Sequence, residues 1–170
     1  MINFKKLYEE NKILNGLEGF QGEYRMLSNF AIHDKLSIKL PWGSEEAKEY
    51  YGDNVEALFQ ASKTYSLPMI KSLAKTNPYR AKSVGRHCKL RPDWEDIKEE
   101  VMLFLLKQKY EKIKEFRDIL NSIPKDKYIV EMNKWNDKEW GVSIKDFQGK
   151  NKLGRLLTQI RNGERNVDNR

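Results

Sequence analysis

Glu56 and Lys63 are the only charges between Val55 and Lys63, in the stretch Asp53-Asn54-Val55-Glu56-Ala57-Leu58-Phe59-Gln60-Ala61-Ser62-Lys63. A carboxylate can give or take a proton at a reacting carbon, and an amine can hold a phosphate or attack an electrophilic carbon. The stretch reads as one helix: good helix formers fill it, Asp53 or Asn54 can cap it, and no Gly or Pro interrupts it before Pro68. At about 100° per residue, Val55, Leu58, Phe59 and Ser62 share one stripe, Glu56, Gln60 and Lys63 a second, and Ala57, Ala61 and Thr64 fill the back. In a chain that is 34% charged, so few charges predict a helix packed on most sides. Positions seven apart are about 10 Å from each other along a helix, too far for the usual intrahelical pair. Two readings follow: the charges pair with other segments, or they face one pocket.

The elements that must position them can be read outward from this helix. Leu36-Ser37-Ile38-Lys39-Leu40 alternates as a strand, with a partner expected around 30–33, and 41–52 reads as a polar loop. After the central helix, Pro68 opens a second helix to about Lys75 and Pro78 a third, with Gly85 just past its end. Asp93 is placed to cap the longest helix, Trp94 to about Leu120, whose stripe is Ile97, Val101, Met102, Leu105, Ile113, Phe116 and Leu120. An amphipathic arm over 1–16, a short strand at 128–132 and a last helix through Leu153, Leu156, Leu157 and Ile160 complete the reading. The fold class expected is mainly α, α+β at most: a single compact helical domain with a small antiparallel β element from the N-terminal half and residues around 128–132. The division expected is an extension at 1–19, a catalytic domain at 20–162 and a polar tail at 163–170.

Charge narrows the function classes. The net charge is +7, and Ala57–Pro92 contains no Asp or Glu but eight cations: Lys63, Lys71, Lys75, Arg80, Lys82, Arg86, Lys89 and Arg91. The remaining 24 Lys and Arg face 25 acids, so the positive excess sits in that one segment. Such a field attracts phosphates of a nucleotide or a nucleic-acid backbone; a solvated basic face is the alternative. One cysteine rules out an internal disulfide framework, and two histidines without ligand spacing give no metal site. No apolar run reaches the roughly 20 residues of a membrane span, and the start MINFKKLYEE lacks a signal-peptide core. A cytoplasmic protein without membrane partners is expected. Neither a phosphate-binding glycine loop nor a Gly-x-Ser-x-Gly elbow occurs. Carboxylate, amine and aromatic chemistry remains, on Glu56, Lys63, Glu131, Asp137, Trp94 and Trp140. Cleavage at a sugar carbon uses such groups: a carboxylate as acid or base and a flat surface for the leaving group.

Phe20-x-Gly22-x-Tyr24-x-x-Leu27-Ser28-Asn29-Phe30 and Val55-Glu56-x-x-Phe59-Gln60-Ala61-x-Lys63 resemble the NADAR family. The likeness continues through Asn77-Pro78-x-x-Ala81-Lys82-x-x-Gly85-Arg86, Arg91-x-Asp93-Trp94, Asp137-x-x-Trp140-Gly141 and Gly149-x-Asn151-x-Leu153-Gly154, to Arg161. The extension at 1–19, the 41–52 loop and 132–136 depart from the pattern. The resemblance implies an N-glycosidase without a cofactor or metal, acting on an ADP-ribose-like or ribose-phosphate ligand. Two substrates are associated with the family: ADP-ribose on guanine bases, which brings modified nucleic acid in as a partner, and a phosphorylated riboflavin-pathway intermediate. On this basis Glu56 is the expected acid/base, Lys63 a phosphate contact or Schiff-base amine, and Asp137 a ribose or proton-transfer group. Trp94 and Trp140 are expected to stack on the base, and Arg86, Arg91 and Asn151 to hold phosphate. Asn29, Phe59, Gln60, Gly141 and Gly154 complete the ligand-binding set. A non-catalytic ADP-ribose or NAD sensor and a basic nucleic-acid-binding module are the alternatives.

Overall fold

A computed structural model describes residues 1–163. In chain order its helices are α1 (Phe4–Glu9), α2 (Val55–Ala61), α3 (Leu67–Ala74), α4 (Pro78–Gly85), α5 (Trp94–Lys112), α6 (Lys114–Ser122) and α7 (Lys152–Arg161). The strands are β1 (Leu36–Leu40), β2 (Lys48–Gly52), β3 (Met132–Asn133) and β4 (Val142–Ser143), and 3-10 turns lie at Gly16–Glu18 and Gly22–Leu27. The protein is mainly α. No described helix is long and apolar enough to cross a membrane. The chain forms two compact units, one of Asn29–Lys114 and one of Met1–Ser28 with the described residues from Glu115 onward. The polar tail expected at 163–170 lies, from 164 on, outside the described residues.

In the Asn29–Lys114 unit, α2 is the centre. All seven of its residues are buried, Glu56 and Gln60 included. It packs against α3, α4, α5 and the β1–β2 hairpin, which explains why it tolerates so little charge on any face. Of the two possible caps, Asn54 is the one used: its Oδ1 accepts from Ala57 N at 2.8 Å while its Nδ2 donates to Asp53 Oδ1 and Thr76 O. The regular helix ends at Ala61, two residues earlier than the sequence suggests, because Ser62 turns back and donates its hydroxyl to Leu58 O at 2.8 Å. α4 starts as expected, with Asn77 Oδ1 accepting from Arg80 N and Pro78 in the first turn.

Two expectations fail in this unit. β1 pairs antiparallel not with 30–33 but with β2, Leu36 opposite Gly52 and Leu40 opposite Lys48, inside the segment read as a polar loop. Only β1 is core-facing; on β2 Gly52 alone is buried, so Lys48-Glu49-Tyr50-Tyr51 lacks the apolar alternation that marks a half-buried strand. The expected single helix from Trp94 to Leu120 is instead α5 and α6, separated by an extended Ile113 (φ −104°, ψ 99°). Val101, Met102 and Leu105 before the break and Ile113, Phe116 and Leu120 from it onward are all buried, so the stripe continues through it and the sequence cannot show it.

In the other unit, Phe4, Ile13, Val130, Met132 and Val142 form a cluster, so residues of the 1–19 extension belong to a core. The strand expected at 128–132 is reduced to a parallel bridge between Ile13 and Tyr128 and the two-residue parallel pair β3–β4. A side chain replaces the missing ladder: Asn151 Oδ1 accepts from Glu131 N at 3.1 Å and Asn151 Nδ2 donates to Ile129 O at 2.9 Å.

Candidate functional site

The polar line of α2 survives folding. Gln60 Nε2 donates to Glu56 Oε1 at 2.6 Å, a short bond between groups one helical turn apart on a buried face. A charge-assisted bond of this kind fixes the carboxylate's direction without adding a cation. Glu56 N donates to Asn29 O at 3.0 Å, tying the start of α2 to the residue that opens this unit. Gln60 is pressed by α4, where Gly85 comes so close that a Cβ there would stand 2.0 Å from Gln60 Oε1. Gly85 is therefore needed for the helices' approach and not for a turn.

Lys63 follows the end of α2, one turn beyond Gln60, and its backbone is pinned when Lys63 O accepts from Arg91 N at 2.7 Å. Its ammonium lies 5.8 Å from the Phe59 ring centroid and 6.0 Å from that of Trp94. Those rings pack at 5.0 Å and a tilt of 57°, forming one aromatic wall. Burial pushes the Lys63 pKa down, the attraction of Glu56 and Cys88 opposes this, and the like charges of Lys82 and Arg86 add to it. The amine is thus moved toward its neutral form, the form that acts as a nucleophile.

Other groups of this unit complete the surroundings. Asn29 is buried, donates from Nδ2 to Met102 Sδ at 3.5 Å, and keeps an Oδ1 without a hydrogen-bond partner among the described residues. Gln60 Oε1 and Arg91 Nη1 share that condition. The rest of the Arg91 guanidinium is committed: Nε and Nη2 donate to Asp93 at 2.6 and 2.9 Å, Nη2 donates to Trp42 O at 3.0 Å, and the Tyr65 ring lies 4.6 Å away. The Asp93 bond also holds the Arg91 pKa above its ordinary value. A phosphate would find one free nitrogen here, not the paired fork that binds oxyanions best. Arg86 is exposed at the end of α4. Trp94 and Phe59 are both buried, so they offer an edge more than a stacking face.

The remaining expected residues belong to the other unit. Asp137 Oδ1 accepts from Glu139 N at 3.1 Å and Trp140 N at 3.0 Å, and Asn133 brackets the same turn through Asp137 N and Asp137 O. Trp140 is half-buried and its carbonyl accepts from Leu153 N at 3.0 Å. Asn151 holds 129–131 with both ends of its amide, as above. Gly141 and Gly154 sit where the backbone leaves no room: a Cβ would stand 2.1 Å from Glu131 Oε2 and from Ile129 O respectively. The structure thus gathers Asn29, Glu56, Phe59, Gln60, Lys63, Arg86, Arg91 and Trp94 in one unit and Asp137, Trp140, Gly141, Asn151 and Gly154 in the other. Sequence reasoning left Lys82 and Cys88 out of the site, although both act electrostatically on Lys63. The signal for Lys82 was its place four residues before Arg86 on α4; Cys88 gave none.

A mainly helical chain built around a buried carboxylate–amide pair and a desolvated amine is the class that fold and site define, and the chain belongs to the NADAR domain family, whose model matches residues 18–163. That match runs over both units. Among its relatives are proteins called N-glycosidase YbiA from Escherichia coli (strain K12) and Shigella flexneri, each 32% identical over 142 residues, or 82% of this chain and 81% of the relative. The NMR structure of the E. coli protein YbiA is similar with a TM-score of 0.67 at 30% identity, covering 84% of this chain and 79% of that one.

Proposed function

We propose that this protein is an N-glycosidase that hydrolyses the C1′–N bond of a ribose-phosphate-type substrate, with Glu56 and Lys63 at the reacting centre. The observation that carries the reading is the buried Glu56–Gln60 pair at 2.6 Å on α2, followed just past the helix end by a Lys63 amine that feels the Glu56 charge and whose pKa burial lowers. In direct hydrolysis, Glu56 takes a proton from the attacking water as oxygen bonds to C1′, the C1′–N pair leaves on the base, and that proton ends on the base nitrogen. In the covalent route, the neutral Lys63 amine attacks C1′ and the base leaves with the bonding pair and a proton relayed by Glu56. The C1′–O4′ bond then opens to give an imine, which water hydrolyses to release the sugar and the free amine. The lowered Lys63 pKa favours the covalent route.

ADP-ribose on a guanine base and a phosphorylated riboflavin-pathway intermediate are the two substrates that this reading puts first. Both carry the phosphate that the cations of 57–92 attract. Parallel incubation with an ADP-ribosylated guanine oligonucleotide and the riboflavin intermediate, with released sugar identified by mass spectrometry, decides between them. Glu56→Gln is expected to lower kcat by about 10²–10⁴-fold while ligand binding persists; full activity in that variant removes Glu56 from the mechanism. Borohydride added during turnover should leave a sugar adduct on Lys63, and a clean Lys63 assigns it to phosphate contact instead.

A further inference from the structure

The unit that does not carry α2 has a cavity of its own, about 440 Å³ and so of the size that holds a small molecule. Its walls are residues 125–128, Thr158 and Arg161 of α7, and Lys12, which lies before the 18–163 span that the family model matches. Backbone bonds fix the surroundings: Tyr128 N donates to Lys12 O at 2.8 Å, Leu14 N to Tyr128 O at 2.9 Å, and Lys127 N to Pro124 O at 3.1 Å. The cavity carries excess positive charge. Lys12 is neutralised by Glu10 at 2.7 Å and adds nothing. Lys127 donates from Nζ to Asn11 O, and Arg161 donates from Nη1 to Pro124 O at 3.3 Å and from Nε to Asn162 Oδ1 at 3.2 Å. These acceptors are neutral, so they hold the two cations in place without cancelling their charge. Lys125 has no ion-pair partner among the described residues, and Asp126 is the one carboxylate among the lining residues. Three cations against one acid leave a net charge of +2. That matches a phosphate monoester, which carries about −1.5 to −2 at neutral pH. The other lining groups describe what the phosphate is attached to. Tyr128 is 45% exposed and offers a ring for a base to stack on. Thr158 Oγ1 gives its hydrogen to Gly154 O at 2.8 Å, so toward the cavity it accepts, as Asp126 does, and acceptors there suit sugar hydroxyls.

We infer that this cavity is a second ligand site, for a nucleoside monophosphate: the phosphate on Lys125, Lys127 and Arg161, sugar hydroxyls on Asp126 and Thr158, and the base on Tyr128. It uses neither Glu56 nor Lys63, so it stands apart from the N-glycosidase reading. The test is an NMR titration of the isotope-labelled full chain with adenosine monophosphate, inorganic phosphate and adenosine, followed amide by amide. Adenosine monophosphate should shift the amides of 125–128 and 158–161 saturably. Adenosine should bind there at least about tenfold more weakly, because the cations then have nothing to hold. Lys125→Gln changes an exposed side chain and should weaken the monophosphate about threefold, with a shallower salt dependence. Tyr128→Leu should weaken it about tenfold while inorganic phosphate binds as before, and Tyr128→Phe should match the wild type because the ring is kept. The inference is overturned by the absence of saturable shifts at these amides, by shifts confined to α2 and its neighbours, or by wild-type affinity in Lys125→Gln or Tyr128→Leu. A chain that cleaves no glycosidic bond but still shows the Tyr128-dependent shifts loses the N-glycosidase reading and keeps this site.

Discussion

Gly85→Ala isolates the contact that holds the Glu56–Gln60 pair. A Cβ at this position would stand 2.0 Å from Gln60 Oε1, 2.7 Å from Gln60 Cδ and 3.2 Å from Gln60 Cβ. Only the amide end can yield, and Gln60 is 4% exposed, so a shift of that amide strains its bond to Glu56. Overpacking of this kind costs about 1–3 kcal/mol, and a lost bond to a carboxylate about 1.5–3 kcal/mol. Against this, Ala gains about 0.5–1 kcal/mol over Gly in a helix, and Gly85 has no left-handed φ to forbid it. The expected net effect is a loss of about 3.5 kcal/mol, read in urea as a midpoint lowered by about 1.5–2 M with the slope unchanged. Glycosidase activity should fall with it, since Glu56 loses the group that aims it. The discriminating measurement is a double-mutant cycle with Gln60→Ala. In that background the clash is gone, and Gly85→Ala should be neutral or stabilising by about 0.5 kcal/mol. The same cost in both backgrounds, or no cost in the first, refutes the argument that Gly85 exists to admit Gln60.

Asn151→Ala should destabilise by about 3 kcal/mol in urea unfolding, because it strands Glu131 N and Ile129 O and leaves Ala at φ 50°. Lys63→Met should raise stability at neutral pH. The folded pKa of Lys63 lies below its ordinary 10.5, so the wild type carries the full penalty below the folded value and sheds it as pH rises; the variant's advantage should vanish above about 10.5 in melts at stepped pH. His33 is the acid-side counterpart. Burial lowers its pKa from 6.5, its Nδ1 donates to Asp34 O at 2.7 Å, and its buried Nε2 has no partner among the described residues. Wild-type stability should therefore decline as pH falls below about 6.5, and His33→Gln should flatten that decline; an unchanged slope assigns the acid sensitivity elsewhere.

Sequence reading works here wherever one local rule decides the outcome. α4 is legible because Asn77 and Pro78 mark its start independently of packing, and α7 because Leu153, Leu156, Leu157 and Ile160 fix its buried side. α2 is legible because a helix buried all round must shed charge, and two survivors on one line are conspicuous. The reading fails where the decision is tertiary. β2 is a strand because β1 needs a partner, not because Lys48-Glu49-Tyr50-Tyr51 looks like one. The apolar stripe continues through the α5–α6 break, and the 128–132 backbone is satisfied by a side chain from Asn151, twenty residues downstream of Glu131.

The candidate residues can be sorted by what their polar atoms already do. Asn151 spends both ends of its amide on backbone, and Arg91 spends most of its guanidinium on Asp93 and Trp42 O. A ligand would have to break these bonds to use them, at about 1–3 kcal/mol for each buried group left over. Asp137 Oδ1 likewise organises the turn that carries Trp140. These side chains fix backbone. Asn29 Oδ1, Gln60 Oε1 and Arg91 Nη1 differ: each is buried without a hydrogen-bond partner among the described residues, a condition that native interiors rarely keep without a reason. Motif spacing cannot separate the two groups, because a residue held for its backbone contact and one held for its ligand look alike in sequence. Hydrogen-bond accounting does separate them: besides His33 Nε2, the unpartnered buried atoms of this unit are on residues bonded to Glu56 or Lys63, since Asn29 receives the Glu56 N–H on its carbonyl, Gln60 holds the carboxylate, and Arg91 pins the Lys63 backbone. That convergence is the physical reason to place the chemistry on α2.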